Sequence, residues 1–262
     1  MSNPGVVDAS ILFDALTRDQ LSAAAQSTTL VLPLGSTEQH GHHLPTRTDA
    51  AVVEALAHRA AALAATRVPV LVAPTLPYGC SHHHLPFGGT MSLTTSTYVE
   101  VICDLVAGLA AEGFRSVVLL NGHGGNDAAI RVAVDRLTNE IRCGAHVAAM
   151  SYWLAAAAVV ESSGWAPGHA GHFETSAMLA LYPELVDLDR RPNDSEPVTP
   201  LGVPDIANVK IGRPGLWEES DGRSDDAREA SAEAGAMIVD EISAALAEFL
   251  VAFHRSAIAA TV

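Results

Sequence analysis

Short apolar runs alternate along the chain with longer segments in which apolar residues recur every three or four positions. The short runs are rich in Val, Leu and Ala and are typical of buried strands, whereas the longer spacing is typical of amphipathic helices. Residues 183–224 are rich in Pro, Gly and Asp and are predicted to be irregular. Strands are predicted at 28–34, 68–73, 116–120 and 145–151, and the main helices at 8–26, 50–65, 95–112, 127–142, 173–181 and 225–253.

Strands that alternate with helices form βαβ units and a parallel sheet that is covered on both faces. We therefore predict a three-layer α/β fold, with a central, mostly parallel sheet and helices on both faces, in a single domain over residues 1–262. Polar loops at 35–49, 74–93 and 121–126 directly follow strands. Since α/β proteins bind ligands beyond the carboxyl ends of their strands, we expect the functional site at this edge of the sheet.

The first of these loops carries Glu38, His40 and Asp49. Carboxylate and imidazole together suit Zn²⁺ or Mn²⁺, and one carboxylate can bridge two ions. The alternative is a polar surface loop without a ligand. Acid and histidine this dense directly after a buried strand favour the metal site.

Two further segments add candidate ligands. His123 lies in the glycine-rich segment 121–126, which lacks the lysine of a phosphate-binding loop, so a ligand role or a plain tight turn remains for it. Glu174 follows His169 and His172, and it is either a site carboxylate or a favourable acid in the first turn of a helix. Trp165 nearby could wall a pocket or pack in the core.

The loop 74–93 contains three consecutive histidines, of which His84 is the residue that we expect to contact a substrate. Such a loop can act as a lid, and the alternative is an exposed polar turn. No Ser or Cys lies in a motif that would activate it as a nucleophile.

Composition narrows the function classes. A formal charge of −15 argues against nucleic acid and anionic membrane surfaces as partners, because both attract basic patches. No apolar run is long enough for a membrane span. Three widely spaced cysteines and an N-terminus without a signal-peptide pattern favour a reduced, cytoplasmic location.

The segments LPLGSTEQHGHHLPTRTD, GTMSL, NGHGGN, SYW and HAGHFETSAMLALYPELVDLDR resemble the creatininase (creatinine amidohydrolase) family over roughly residues 28–192. The resemblance implies a single α/β domain, two divalent ions per chain (Zn²⁺ or Mn²⁺) and a homohexamer. It also implies hydrolysis of a C–N bond in a small amide, in a cyclic amide or, in the mycofactocin branch, in a peptide.

Residue by residue, the resemblance implies that Asp49 bridges the two metals and that His169 shuttles protons. It implies that Trp153 and Trp165 contact the substrate. Gly125 departs from the pattern, because creatininase has a glutamate there, and relatives with NGHGGN use the glutamate that corresponds to Glu174. The implied metal ligands are Glu38, His40, Asp49, His123 and Glu174.

We therefore expect a metal-dependent hydrolase that cleaves a small cyclic amide with a hydroxide held between two ions. His169 would protonate the leaving nitrogen, and Trp153, Trp165 and His84 would bind the substrate. A peptide-trimming peptidase of the mycofactocin type and a non-catalytic metal-binding protein are the alternatives.

Overall fold

The computed structural model describes residues 9–163, 167–192 and 214–259. Its strands are β1 (Thr29–Leu34), β2 (Val70–Val72), β3 (Ser116–Asn121) and β4 (His146–Ser151). In this part of the chain they form one parallel sheet in the order β2–β1–β3–β4. The chain runs outward from β1 to β2 and then returns to the other side of β1, so the strand order reverses between β1 and β3. Such a switch point is where open parallel sheets bind ligands.

Helices cover both faces of the sheet, and the predicted three-layer α/β fold is confirmed. None of the described helices is long and apolar enough to cross a membrane. The α-helices are α1 (Arg18–Ala24), α2 (Thr48–Ala65), α3 (Thr95–Ala111), α4 (Asp127–Asp135), α5 (Tyr152–Ala155), α6 (Ala157–Ser163), α7 (His172–Leu181), α8 (Leu216–Glu219) and α9 (Ala232–Ala259).

The predicted helix at 8–26 is wrong. The described part of this segment contains two short 3₁₀ turns before α1, and Thr17 starts α1 through a reciprocal pair of hydrogen bonds with Gln20. Leu12 lies before that cap, where it bridges to Val72 at the edge of the sheet. Leu12 and Leu16 therefore pack against the apolar clusters on opposite faces of the sheet, which the face of one continuous helix would not allow.

Other boundaries differ by a few residues. The strand predicted at 68–73 pairs only over Val70–Val72, although Val68 and Ala73 are also buried. The helix predicted at 127–142 changes to a π-helical turn at Arg136–Glu140. The last helix begins later than predicted, because Ser231 accepts a hydrogen bond from the backbone N–H of Ala234 at 3.2 Å and so caps α9.

Two apolar clusters, one on each face of the sheet, form the core. Because successive side chains of a strand point to opposite faces, Val31 and Val118 pack with α2 and α9, while Leu30 and Leu119 pack with α3 and α4. This alternation makes β1 and β3 buried on both faces, which explains their continuous apolar runs.

The register of the strands brings the carboxyl ends of β1 and β3 side by side. Leu34 pairs with Asn121, and the N–H of Gly122 donates to the carbonyl oxygen of Leu34 at 2.8 Å. Gly35 then allows the start of α2 to approach, since a Cβ atom there would lie only 2.5 Å from Cα of Ala50. The neighbouring Asp49 is thereby placed against the strand ends.

Helix α7 crosses α9 at very short distance. A Cβ atom on Gly235 of α9 would overlap the carbonyl oxygen of Ser176 in α7. The absence of a side chain at position 235 therefore permits the packing that fixes α7, and with it Glu174, over the sheet edge.

Candidate metal centre

Glu38 lies at the middle of a buried group of histidines. Its Oε1 atom is 3.2 Å from Nδ1 of His123, and its other oxygen accepts a hydrogen bond from Ser36 Oγ at 3.1 Å. Oε1 is also 3.4 Å from Nε2 of His84 and 3.4 Å from Nδ1 of His169. Oε1 is buried and forms no hydrogen bond. A buried carboxylate oxygen without a hydrogen bond is costly unless a cation lies nearby, so this oxygen is a candidate metal ligand.

Asp49 lies between two histidines that come from different strand ends. Its Oδ1 is 3.2 Å from Nε2 of His40, and its Oδ2 is 3.1 Å from Nδ1 of His123. Oδ2, like Oε1 of Glu38, is buried without a hydrogen bond. The two oxygens of one carboxylate thus face two separate acid–imidazole groups, one with Glu38 and one with Glu174.

Glu174 reaches the second of these groups from the first turn of α7. Its Oε2 is 3.6 Å from Nε2 of His40 and accepts a hydrogen bond from the backbone N–H of Ala170 at 2.7 Å. Glu174 therefore lies in the first turn of α7 and also faces the cluster. A role as a favourable first-turn acid and a role as a site carboxylate do not exclude each other.

Gly125 has no room for a side chain. A Cβ atom there would overlap the carbonyl oxygen of Cys80 and the Nε2 atom of His123. Glycine at this position is thus part of the packing that orients His123, and a carboxylate has to reach the cluster from elsewhere.

The donor set fits divalent metal ions. Sets of three ligand atoms lie within 4.8 Å of one another in Glu38–His83–His123, Glu38–His40–His169 and His40–Asp49–Glu174. Ligands about 2.0–2.1 Å from a tetrahedral Zn²⁺ stand about 3.3 Å apart, which matches the spacings around Asp49. His83 was not singled out from the sequence, where His84 was the member of the three consecutive histidines expected at the site.

Electrostatics in the cluster favour added positive charge. Burial opposes the charged form of His40, but Asp49 and Glu174 outweigh it and hold the pKa of His40 well above its ordinary value. Burial is likewise outweighed for His123, whose pKa Glu38 and Asp49 raise well above its ordinary value. Burial raises the pKa of Glu174 in spite of His40. Protons or metal ions can supply the missing charge.

His169 is held in one orientation beside Glu38. Its Nε2 lies 2.8 Å from the backbone carbonyl of Gln39, which can only accept, and 3.1 Å from the side-chain Nε2 of Gln39. The shorter contact favours the tautomer with the hydrogen on Nε2, which leaves Nδ1 facing Oε1 of Glu38 at 3.4 Å. The backbone N–H of His169 donates to Ser224 Oγ at 2.6 Å. Burial, aided by His40 and His84, lowers the pKa of His169 well below its ordinary value.

A cavity of about 630 Å³ opens onto the cluster. Trp153 lines it from α5, directly after β4, and the buried His84 lines it from the loop after β2. Trp165 lies outside the described residues. Other residues that line the cavity include His83, Gly122, Gly125, Asp127, Tyr152, Glu174, Leu216, Trp217 and Ser224.

Trp217 in α8 was missed by the sequence analysis. Its ring lies 4.6 Å from that of His84 and 5.5 Å from that of His169, measured between centroids. The surrounding segment has no hydrophobic periodicity, and only the aromatic residue itself could have drawn attention to it.

Comparisons with known proteins identify the family of the chain. A model of the creatininase family, described as creatinine amidohydrolase, matches residues 14–250. Creatinine amidohydrolase of Pseudomonas putida is 37% identical over 209 residues, which are 69% of this chain and 78% of that protein. Mycofactocin precursor peptide peptidase of Mycobacterium tuberculosis is 36% identical over 187 residues, 66% of each chain. The chain therefore belongs to the creatininase family of hydrolases.

Solved structures show the same fold. A crystal structure of creatininase superimposes with a TM-score of 0.78 and 33% identity, covering 92% of this chain and 97% of that one. A manganese form of creatininase has a TM-score of 0.78 and 32% identity, with coverage of 92% and 97%. A Zn–Zn form of a creatininase mutant has a TM-score of 0.77 and 32% identity, with coverage of 92% and 96%.

Proposed function

We propose that the protein is a dinuclear metal-dependent amidohydrolase that cleaves a C–N bond of a small cyclic amide. The observation that carries this proposal is the position of Asp49, whose two oxygens face two different acid–imidazole groups at 3.2 Å and 3.1 Å. A carboxylate placed in this way can bridge two ions.

The ligand assignment follows from these groups. Glu38 and His123 would hold one ion, His40 and Glu174 the other, and Asp49 would bridge them. The donors are carboxylate and imidazole, which Zn²⁺ and Mn²⁺ both accept. The manganese and Zn–Zn forms of solved creatininases support the same two metals for this chain.

Divalent ions, when bound, polarise a carbonyl group and lower the pKa of water. The chain itself supplies the proton carrier. With its Nε2–H donated to the carbonyl of Gln39, His169 presents Nδ1 to the site, where it can take a proton from the attacking water and pass it to the leaving nitrogen. Gln39 fixes the imidazole in the orientation that this transfer requires.

Trp153 and His84 line the cavity and would bind the substrate, with Trp165 as a further contact. An indole face suits a small planar ring. Trp217 packs edge to face against His84 and would exclude water from the reaction, which strengthens the electrostatic interactions within the site.

A peptide-trimming activity is the second candidate. It is favoured by the mycofactocin peptidase relative and by the cavity of about 630 Å³, a volume typical of sites for ligands larger than a single small ring. A non-catalytic metal-binding role is the third.

A homohexamer remains our proposal for the assembly. The alanine-rich α2 gives it no support, because α2 packs inside the chain against β1 and α9. Apolar residues of α5 and α6, among them Leu154 and Ala158, are exposed and could contact a neighbouring subunit. Light scattering at micromolar concentration tests this, and a mass of 27.3 kDa would contradict it.

Metal analysis combined with a hydrolysis screen tests the function. The purified protein is expected to contain about two divalent ions per chain and to hydrolyse cyclic amides faster than peptides. Asp49→Asn should lose both ions and all activity, whereas Asp104→Asn, an exposed position in α3, should lose neither. Preference for peptides would favour the second candidate. Two ions without hydrolysis of any amide or peptide would favour the third.

A further inference from the structure

Two fully buried serines connect Glu38 to His123. Ser36 follows the end of β1, and Ser81 lies 45 residues later, in the loop after β2. Both serines are 0% exposed, and neither belongs to a group of potential ligands among the described residues. Because a buried hydroxyl group is costly unless it forms a hydrogen bond, the donor and the acceptor of each contact can be assigned in turn.

The carboxylate of Glu38 decides which hydroxyl donates. Ser36 Oγ lies 3.1 Å from Oε2 of Glu38. An ionised carboxylate only accepts hydrogen bonds, so the one hydroxyl hydrogen of Ser36 is donated to Glu38. Ser36 Oγ also lies 2.6 Å from Oγ of Ser81. Since Ser36 has no second hydrogen, Ser81 is the donor in that contact.

His123 completes this chain of hydrogen bonds. Its Nε2 lies 3.2 Å from Ser81 Oγ and 3.2 Å from the carbonyl oxygen of Cys80, which can only accept. Nε2 therefore carries a hydrogen, and Ser81 Oγ can accept it because the hydrogen of Ser81 is donated to Ser36. Nδ1 of His123 is the nitrogen that faces Oε1 of Glu38, at 3.2 Å.

The chain of hydrogen bonds thus engages one atom of each side chain, Nε2 of His123 and Oε2 of Glu38, and leaves Nδ1 and Oε1 as the ligand atoms. We propose that Ser36 and Ser81 are positioning residues that set the affinity for the ion held by Glu38 and His123, and that Ser36 restricts Glu38 to coordination through one oxygen. Hydrogen bonds to metal ligands orient them and tune the affinity for the metal. The proposal rests on the proposed function, because it uses the ligand assignment made there.

Backbone groups, and not serines, hold the ligands of the other ion. Nδ1 of His40 lies 3.1 Å from the carbonyl oxygen of Glu38, and Oε2 of Glu174 accepts a hydrogen bond from the N–H of Ala170 at 2.7 Å. The hydroxyl groups of Ser36 and Ser81 take no part in these contacts. Loss of either hydroxyl group is therefore expected to weaken the binding of one ion and to spare the other.

Competition between the protein and a zinc chelator tests the proposal in the wild type, Ser36→Ala, Ser81→Ala and the double variant. Each single change should lower the affinity for one of two Zn²⁺ ions about tenfold and leave the other affinity unchanged. Because both hydroxyl groups belong to one chain of hydrogen bonds, the double variant should bind that ion about as weakly as the weaker single variant.

Ser116→Ala is the matched control. It also removes a buried serine hydroxyl that lies beside another hydroxyl, Thr29 Oγ1 at 2.8 Å, but at the opposite end of β3. This variant should keep the wild-type affinity for both ions, even where its melting temperature falls as far as that of Ser36→Ala or Ser81→Ala.

Visible absorption spectra of the Co²⁺-loaded proteins supply a readout that a loss of stability would not change. In Ser36→Ala, Oε2 of Glu38 is released and can join Oε1 in coordination, so the spectrum should differ from that of the wild type. The spectrum of Ser116→Ala should match that of the wild type. An unchanged spectrum in Ser36→Ala would refute coordination through one oxygen.

Wild-type affinity for both ions in Ser36→Ala and Ser81→Ala would overturn the role of the serines and leave the proposed function intact. Equal losses for the two ions, or a loss of the same size in Ser116→Ala, would also overturn it, because the effect would then be general. A wild type that binds a single ion, with an affinity that falls in both serine variants, would refute the dinuclear function and support the inference.

Discussion

Nε2 of His40 lies 3.6 Å from Oε2 of Glu174, although the two residues come from opposite halves of the chain. His40 follows β1, and Glu174 lies in the first turn of α7, which packs against α9. This contact makes the metal content of a Glu174 variant the most direct measurement of the ligand assignment.

Glu174→Gln should lower the metal content from about two ions per chain to about one, because a neutral amide is a poor ligand. Gln forms helices about as well as Glu, so loss of the charge near the helix start should cost only a few tenths of a kcal/mol. Glu184→Gln, at an exposed position, is the control. Elemental analysis and thermal melting decide the outcome, and two ions retained in Glu174→Gln would refute the assignment.

Gly125→Ala should lower metal affinity, since the added methyl group would overlap the carbonyl of Cys80 and push against Nε2 of His123. The neighbouring Gly124 provides a matched control, because a Cβ atom there meets nothing within 4 Å. Competition with a chelator measures the affinity of both variants. Equal metal affinity in the two variants would show that the orientation of His123 does not depend on Gly125.

Gly235→Ala should destabilise the fold by about 1–3 kcal/mol, because the new Cβ atom overlaps the carbonyl of Ser176 and forces α7 away from α9. Gly108→Ala in α3 makes the same change where nothing lies within 4 Å. Gly108→Ala should raise the free energy of unfolding by about 0.5–1 kcal/mol, because alanine has the higher helix propensity. Urea unfolding gives both values, and a neutral Gly235→Ala would mean that the two helices can separate without cost.

Acid should weaken the fold through His254, away from the candidate metal centre. Its Nδ1 is 3.0 Å from Thr29 Oγ1, and burial, aided by Arg255, lowers the pKa of His254 below 6.5. The unfolded chain then binds a proton more readily than the folded one. The contribution of His254 is therefore complete above about pH 6.5 and is lost as the pH falls below that value towards the pKa of the folded state.

Comparing how the melting temperature changes with pH in the wild type and in His254→Gln separates the contribution of His254 from that of the other histidines. The fall in melting temperature from about pH 7.5 to about pH 5.5 should be smaller in His254→Gln than in the wild type. The same substitution at the exposed His146 should leave the fall unchanged. An identical fall in wild type and His254→Gln would show that His254 accepts a proton equally well in both states.

The sequence predicted the sheet well because β1 and β3 are buried on both faces, which leaves continuous apolar runs that no surface helix would show. The same runs located Glu38 and His123, since both follow directly where the runs end. The start of α1 was also encoded, as the Thr17–Gln20 pair, but the apolar spacing over residues 8–26 predicted one long helix instead.

What the sequence could not provide was the packing of segments that lack a periodic pattern. Trp217 reaches the cavity from a segment whose path depends on contacts with distant residues, such as the 3.1 Å hydrogen bond from the N–H of Ser224 to the carbonyl of His169. Gly125 was recognised as a departure from the family pattern. The physical reason for glycine there is that a side chain would overlap Cys80 and His123, and only the folded structure shows this.

The close crossing of α7 and α9 at Gly235 has a consequence for the order in which a newly synthesised chain acquires its metals. Glu38, His40, Asp49 and His123 are all made before α7, but Glu174 reaches the cluster only when α7 is seated on α9, the last helix described. A nascent chain would therefore complete the group of Glu38 and His123 while its C-terminal helix is still missing. The ion that His40 and Glu174 are proposed to hold would be captured last, once α9 has been made and α7 has packed against it.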